Sequence, residues 1–216
     1  MKEQVIASIA ENRVIAILRG VPAEKLPHVA KALYDGGIRL LEITFSADGS
    51  VPDEETARRI ALLVQQFGDK MHIGAGTVLT PQQVRAVKAA GGSFVISPDS
   101  DEEVIRETAA LGLVSIPGAL TPSEVTRAVR WGADFVKLFP VSSMGPDYVK
   151  AIKAPLSHVR LLAVGGVGVK DMPAYLAAGA CGFGISSGLA DRAKVEAGDY
   201  AAITAAAKAY VEAAHG

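Results

Sequence analysis

The chain repeats one local plan, in which a helix-like segment ends in small residues and glycine and is followed by a short β-rich run. The clearest copies read AKALYDGG-IRLLEITF, VRAVKAAGG-SFVISP, ETAALG-LVSIPG, TRAVRWG-ADFVKLFP and AYLAAG-ACGFGISS. Glycine just past a helix supplies the left-handed conformation that ends it, so each copy marks a helix end. The repeats predict strands that alternate with helices.

Eight β-rich runs of this kind predict strands. They are Val14–Leu18, Leu40–Phe45, His72–Thr77, Phe94–Ser97, Val114–Ile116, Phe135–Phe139, Arg160–Val164 and Gly182–Ser186. Alternating strands and helices pair in parallel through right-handed crossovers. Eight such units predict a closed (β/α)8 TIM barrel, slightly smaller than the usual ~250 residues, as one domain over residues 1–216. The alternative is a doubly wound open sheet.

Helix starts are marked as well. Thr80 and Thr121 are each followed by proline and then, at the third helical position, by Gln83 or Glu124, which is the pattern of a capping box with proline at the first helical position. Ser100, three residues before Glu103, is a third candidate cap. The alanine-rich segment 199–216 predicts a last helix on the outside of the barrel.

Composition excludes several classes of function. A net charge of -1 with mixed signs gives no basic stripe for nucleic acid, and no apolar run is long enough to span a membrane. The single cysteine, Cys181, excludes an internal disulfide and suits a reducing compartment. Charged residues interrupt the first apolar segment before a signal peptide could form. We therefore expect a cytoplasmic protein whose partner is a small-molecule substrate.

A lysine interrupts the apolar run F-V-K-L-F-P. Side chains two residues apart share a face of a strand, so Lys137 lies beside Phe135 and Phe139, while Val136 and Leu138 take the other face. Burying an unpaired ammonium group is expensive and lowers its pKa. Alternatively, the lysine stands at a strand end and extends its amine to water.

Other polar side chains fall at the carboxyl ends of predicted strands, where barrel active sites lie. The candidates are Arg19, Glu42, Thr44, Thr77 and Lys137. Glu42 and Thr44 share one face of the second strand, and Thr77 shares a face of the third with Ile73 and Ala75. Together these residues predict a ring that holds a carboxylate, an amine, a guanidinium and hydroxyl groups. Taken singly, Glu42 could be a structural partner of a barrel lysine and Arg19 a surface charge.

The last two predicted strands end in Gly165-Gly166 and Ser186-Ser187. In barrels, the loops after the seventh and eighth strands commonly bind phosphate. Backbone N–H groups and two hydroxyls at these positions are suitable phosphate donors. The alternatives are a tight glycine turn and a pair of helix-capping serines.

Other catalytic chemistry has little support in the sequence. His28, His72, His158 and His215 are scattered without ligand spacing, so no metal and no cofactor is predicted. A metal-assisted phosphosugar isomerase or decarboxylase would need clustered carboxylates, whereas Glu42 alone stands at a strand end. A phosphate-binding protein without activity would leave both Lys137 and Glu42 unexplained. A nucleophilic lysine remains.

Six segments in order carry a family resemblance: LLEITF, IGAGTVLTPQQ, FVISP, IPGALTPSE, VKLFP and AVGGV. From about Val14 to Ser187 the chain resembles the 2-keto-3-deoxy-6-phosphogluconate (KDPG) aldolases, with their 4-hydroxy-2-oxoglutarate (KHG) and phosphogalactonate relatives. The resemblance implies a barrel of the class I aldolase type, a homotrimer and no metal. It implies reversible cleavage of KDPG or a close 2-keto-3-deoxy acid to pyruvate and glyceraldehyde 3-phosphate, and of 4-hydroxy-2-oxoglutarate to pyruvate and glyoxylate.

The resemblance also implies roles for single residues. Lys137 matches the family's Schiff-base lysine, and Glu42 matches its proton shuttle. Arg19 and Thr77 match positions that hold the pyruvate carboxylate and nearby oxygens. The wall and phosphate positions correspond to Pro98, Phe139, Gly165, Gly166, Ser186 and Ser187.

One position departs from the phosphogluconate pattern. Many phosphogluconate aldolases carry an arginine two residues after the threonine of the second strand, where this chain has Ser46. The phosphogalactonate branch also lacks that arginine, and the segment FPVSSMGPDYVKAIKA resembles that branch. A 2-dehydro-3-deoxy-6-phosphogalactonate aldolase is therefore the alternative activity.

Overall fold

Nine parallel strands form one sheet in the order β5-β4-β3-β2-β1-β9-β8-β7-β6 in the computed structural model, which describes residues 2–216. The strands are β1 Val14–Leu18, β2 Leu40–Thr44, β3 His72–Gly76, β4 Phe94–Ile96, β5 Val114–Ile116, β6 Gly118–Ala119, β7 Val136–Leu138, β8 Leu161–Val164 and β9 Gly182–Ile185. Each of the eight predicted strands is present, with ends that differ by at most one residue. The single-domain boundary at 1–216 stays a prediction.

The barrel closes through the segment around Pro117. β5 pairs with β4, and β6 pairs with β7. Pro117 has no N–H to donate, but its carbonyl accepts a 2.9 Å hydrogen bond from the Lys137 N–H. Because β5 and β6 are two pieces of one barrel strand, the nine strands make eight, and the predicted (β/α)8 barrel is confirmed. The open-sheet alternative is wrong.

Ten helices lie in the described residues: α1 Lys2–Asn12, α2 Leu26–Asp35, α3 Asp53–Phe67, α4 Pro81–Ala89, α5 Glu102–Ala110, α6 Pro122–Trp131, α7 Gly145–Lys153, α8 Met172–Ala177, α9 Arg192–Ala197 and α10 Tyr200–His215. The predicted last helix is α10, which packs on α2, where the Thr204 hydroxyl donates to the Ala32 carbonyl at 2.9 Å. No helix within residues 2–216 has the length and apolar character that a membrane span requires.

Two of the three predicted helix caps are confirmed. The Thr80 hydroxyl accepts from the Gln83 N–H at 3.2 Å, and Thr121 forms a full capping box with Glu124. The cap predicted at Ser100 is wrong, because α5 begins one residue later. There the Asp101 carboxylate accepts from the N–H of Val104, while Ser100 donates to the Gly118 carbonyl of β6.

Alternation along the strands separates two apolar layers. Outward side chains such as Leu41 and Val136 pack between strands and helices. Inward side chains fill the lower barrel and include Ile15, Leu40, Phe94, Phe135 and Leu162. Two residues of α1, Val5 and Ile9, join the inner layer and close the amino-terminal end of the barrel. The sequence reasoning did not predict this closing helix, which keeps the barrel floor apolar.

Candidate active site

β2 and β7 place one carboxylate and one amine inside the barrel. Glu42 is 1% exposed and Lys137 is 6% exposed. Both border a small internal gap, with apolar neighbours such as Ile17 and Leu162. The alternation predicted for both strands is confirmed, because Leu41 and Val136 face the helices. Two ionisable groups therefore share an interior that is otherwise apolar.

The Glu42 carboxyl group packs directly against the backbone of Gly76. A Cβ atom at Gly76 would overlap the Glu42 Oε1 atom, so glycine provides the space for the carboxylate. Within residues 2–216, the buried Oε2 atom has no hydrogen-bond partner. Burial raises the pKa of Glu42, and the positive charges of Lys137 and Arg19 oppose this rise. No hydrogen bond to Oε2 from the described chain therefore hinders this carboxyl group from accepting or releasing a proton there.

The Lys137 amine lies inside the barrel rather than in bulk water. Its Nζ atom lies 4.6 Å from the centre of the Phe139 ring, an arrangement that favours the ammonium form. Burial is the main cause that lowers the pKa of Lys137. The charge of Arg19 lowers it further, and the charge of Glu42 raises it. The net direction is downward, toward the neutral amine that a nucleophile requires.

Arg19 and Thr77 meet above this pair. The Arg19 Nη2 atom donates to the Thr77 Oγ1 atom at 3.5 Å. Thr77 does not reach this position by strand alternation, because Ile73 and Ala75 pack on the helix side of β3. Instead, Thr77 has a left-handed backbone with φ of 55°, which is unusual for a β-branched residue. The face predicted for β3 was wrong, although Thr77 joins the site.

A cavity of about 630 Å³ opens at the carboxyl ends of the strands. Eight of the predicted site residues line it: Arg19, Pro98, Lys137, Phe139, Gly165, Gly166, Ser186 and Ser187. Glu42 lies below the cavity, across the internal gap that it shares with Lys137. Thr44 is half-buried at the end of β2 and is not one of the lining residues.

The loops after β8 and β9 form the wall of this cavity. Gly165 and Gly166 have φ of 98° and 77°, so the turn after β8 requires glycine. The turn after β9 is tight, because the N–H groups of Leu189 and Ala190 both donate to the Ser186 carbonyl at 2.9 Å. This wall brings backbone and hydroxyl groups together on the side where the sequence predicted a phosphate.

Sequence reasoning missed two residues of the site. Gly76 has a signal in G-A-G-T, but only the structure shows that the Glu42 carboxylate fills the space of a missing side chain. Tyr210 lines the cavity from α10, far along the chain from the other residues. Tyr210 is one of two tyrosines in an alanine-rich helix, a pattern that indicates packing but gives no signal of a site.

Known proteins resemble the chain along most of its length. The family profile described as KDPG and KHG aldolase matches residues 5–206. The 2-dehydro-3-deoxy-6-phosphogalactonate aldolase of Escherichia coli is 41% identical over 81% of this chain and 83% of its own. The probable 2-dehydro-3-deoxy-6-phosphogalactonate aldolase of Rhizobium meliloti is 38% identical over 83% of this chain and 82% of its own.

Solved structures agree with the sequence relatives. The KDPG aldolase of Legionella pneumophila, crystallised with pyruvate captured at low pH as a covalent carbinolamine intermediate, superposes with a TM-score of 0.87. It is 30% identical and covers 97% of this chain and 99% of its own. Fold, sequence and family profile agree, and aldolases of this kind are aldehyde-lyases. The chain belongs to the KDPG and KHG aldolase family.

Proposed function

We propose that the chain is a class I aldolase that cleaves a phosphorylated 2-keto-3-deoxy sugar acid into pyruvate and glyceraldehyde 3-phosphate. One observation carries the proposal: a buried amine, Lys137, borders the same internal gap as a buried carboxylate with an unpaired oxygen, Glu42. The amine also opens to the main cavity. Imine chemistry requires this combination of nucleophile and proton carrier.

In the first step, neutral Lys137 attacks the C2 ketone of the substrate. The carbinolamine that forms loses water and becomes a protonated imine. The lowered pKa of Lys137 raises the fraction of amine that can attack at neutral pH. The covalent carbinolamine in the Legionella pneumophila enzyme supports this step for the present chain.

In the second step, the protonated imine draws the electrons of the C3–C4 bond, and that bond breaks. The Glu42 carboxylate takes the proton of the C4 hydroxyl, directly or through water, and the aldehyde leaves. The remaining enamine then takes a proton at C3 from the Glu42 carboxyl group, and hydrolysis of the imine releases pyruvate. One carboxyl group can serve both transfers, because its pKa is raised by burial.

The remaining residues position the substrate. Arg19 and Thr77 would hold the pyruvyl carboxylate beside the imine, and Pro98 and Phe139 would form the walls around the reacting carbons. Thr44, at the end of β2, is the remaining candidate for a substrate contact. The phosphate would bind the turns that contain Gly165, Gly166, Ser186 and Ser187.

Among phosphorylated substrates, we propose that the phosphogalactonate epimer is preferred. Two relatives at 41% and 38% identity carry that activity in their names. Ser46, which replaces the arginine of many phosphogluconate aldolases, hydrogen-bonds within its own loop to Asp48 and Ser50. KDPG is the second candidate, since the Legionella pneumophila neighbour is a KDPG aldolase.

Steady-state release of pyruvate from the two epimers tests both parts of the proposal. We expect kcat/KM to be at least about tenfold higher for the galactonate, which corresponds to ~1.4 kcal/mol of discrimination. A preference for the gluconate would reject the proposed epimer and keep the aldolase. Failure to cleave either epimer would reject the aldolase function.

We also propose a cytoplasmic homotrimer. The trimer rests on the family resemblance, and the single cysteine, Cys181, is compatible with a reducing compartment. Light scattering coupled to gel filtration should give three times the 22.4 kDa mass of one chain. A monomeric or dimeric mass would contradict the trimer.

A further inference from the structure

A tyrosine from the last helix reaches the wall of the active-site cavity. Tyr210 lies on α10, is 8% exposed, and lines the cavity together with the turn that follows β9. Its ring packs among the buried residues between α10 and the barrel. The ring is therefore fixed by packing, and the hydroxyl lies against Gly188, which also lines the cavity.

Gly188 accommodates this hydroxyl. A Cβ atom at Gly188 would overlap the Tyr210 Oη atom. Gly188 is not among the glycines with positive φ, so its backbone conformation does not itself require glycine. The close approach of the tyrosine hydroxyl is thus what excludes a side chain at this position, directly after Ser186 and Ser187.

The wall formed by the β8 and β9 turns offers neutral hydrogen-bond donors to an anion. The cations among the lining residues of the described chain are Arg19 and Lys137. Arg19 contacts Thr77, and both cations act on Glu42. A phosphate group beside the β8 and β9 turns would therefore depend on hydroxyl and backbone N–H donors.

The Tyr210 hydroxyl is a donor at neutral pH. Burial, with a contribution from the Asp171 carboxylate, raises the pKa of Tyr210 above its ordinary value, so the phenol keeps its proton. Asp171 is exposed and accepts the Gly168 N–H at 3.0 Å.

We propose that the Tyr210 hydroxyl donates a hydrogen bond to the substrate phosphate and so sets the preference for phosphorylated over unphosphorylated 2-keto acids. This inference rests on the proposed function and adds a recognition residue to the same site. Gly188 contributes by leaving room for the hydroxyl beside the turn after β9.

Tyr210→Phe tests the inference, because it removes the hydroxyl and keeps the ring that packs in the core. The readout is the ratio of kcat/KM for the phosphorylated substrate to kcat/KM for 4-hydroxy-2-oxoglutarate, which has no phosphate. We expect this ratio to fall about tenfold, through a higher KM for the phosphorylated substrate, as for loss of one hydrogen bond to a charged group. The inhibition constant of inorganic phosphate should rise by a similar factor.

Tyr200→Phe is the matched control. Tyr200 lies on the same helix but stacks on His28, with ring centres 5.4 Å apart, away from the cavity. Gly188→Ala is a second test, because its Cβ would displace the Tyr210 hydroxyl, and it should also lower the ratio. An unchanged ratio and unchanged phosphate inhibition in Tyr210→Phe would overturn the inference.

Borohydride trapping with pyruvate distinguishes failure of the aldolase function from failure of the Tyr210 inference, because pyruvate carries no phosphate. A pyruvyl adduct in wild type, together with an unchanged ratio in Tyr210→Phe, would overturn the role of Tyr210 and keep the aldolase function. Absence of an adduct in folded wild-type protein would overturn both.

Discussion

The backbone of Gly76 on β3 lies against the carboxyl group of Glu42 on the neighbouring strand β2, at a distance that leaves no room for a Cβ atom. The two residues are diagonal neighbours across the sheet, since Gly76 pairs with Thr44 and Gly74 pairs with Glu42. β3 contributes no inward side chain at either glycine. The Glu42 carboxyl group occupies the space beside Gly76, and the Phe94 ring occupies the space beside Gly74. The position of the proposed proton carrier therefore depends on a missing side chain.

Gly76→Ala should displace the Glu42 carboxylate. We expect kcat to fall about 100-fold, in the range for loss of a positioned general acid–base. Overpacking should also destabilise the fold by about 1–3 kcal/mol. Borohydride trapping of pyruvate on Lys137 should persist, because the amine is not displaced. Wild-type kcat in this variant would contradict the account.

Gly112→Ala is the control for this substitution. Gly112 lies in the turn after α5 with φ of 69°, and a Cβ atom there would meet no heavy atom within 4 Å. Alanine at this position should cost about 1 kcal/mol of stability through backbone strain and leave kcat unchanged.

Glu42→Gln should separate imine formation from proton transfer. We expect kcat to fall about 10²–10⁴-fold while pyruvate still becomes trapped on Lys137. The charge of Glu42 raises the pKa of Lys137, so its removal should move the pH midpoint of trapping to a lower value. Glu54→Gln, an exposed substitution on α3, should change neither quantity. An unchanged or higher midpoint in Glu42→Gln would contradict the proposed electrostatics.

The stability of Lys137→Met relative to wild type should be higher at pH 7 than at pH 10. The pKa of Lys137 is lowered in the fold from its ordinary 10.5. At pH values between the lowered pKa of the folded state and the ordinary pKa of the unfolded state, the native state therefore binds fewer protons than the unfolded state. Wild-type stability therefore rises with pH through this window, by ~1.4 kcal/mol for each unit of lowering. The stability of the methionine variant relative to wild type falls accordingly.

Urea denaturation at the two pH values measures this change. The variant also leaves Glu42 buried without the opposing charge of Lys137, which destabilises the variant at either pH value at which the carboxyl group is ionised. Lys88→Met, at an exposed position on α4, should stay within about 0.5 kcal/mol of wild type at both pH values. A stability difference between the variant and wild type that is the same at both pH values, or that favours the variant more at pH 10, would contradict the lowered pKa of Lys137.

The sequence predicted the barrel and the placement of Lys137 and Glu42 because both rest on short-range rules. Strand alternation alone puts these two residues on the inner face, opposite Leu41 and Val136. The glycines just past the helices marked the repeat of helix and strand, and two threonine caps marked the helix starts. These signals lie within a few residues of the features that they determine.

What the sequence could not predict depends on backbone departures and on distant contacts. Thr77 leaves the strand geometry at φ of 55°, so alternation assigned β3 the wrong inner face. Asp101, rather than Ser100, caps α5, because Ser100 is used to hold β6 through the Gly118 carbonyl. Tyr210 reaches the cavity only because α10 packs over the turn after β9.

The central claim is that Lys137 forms a covalent imine with a 2-keto acid. The most direct measurement is borohydride reduction in the presence of pyruvate, followed by mass spectrometry of the peptide that contains residue 137. We predict one reduced pyruvyl adduct on Lys137 in wild type and in Lys88→Arg, and none in Lys137→Arg. Folded wild-type protein without an adduct, or an adduct at another lysine, would contradict the account.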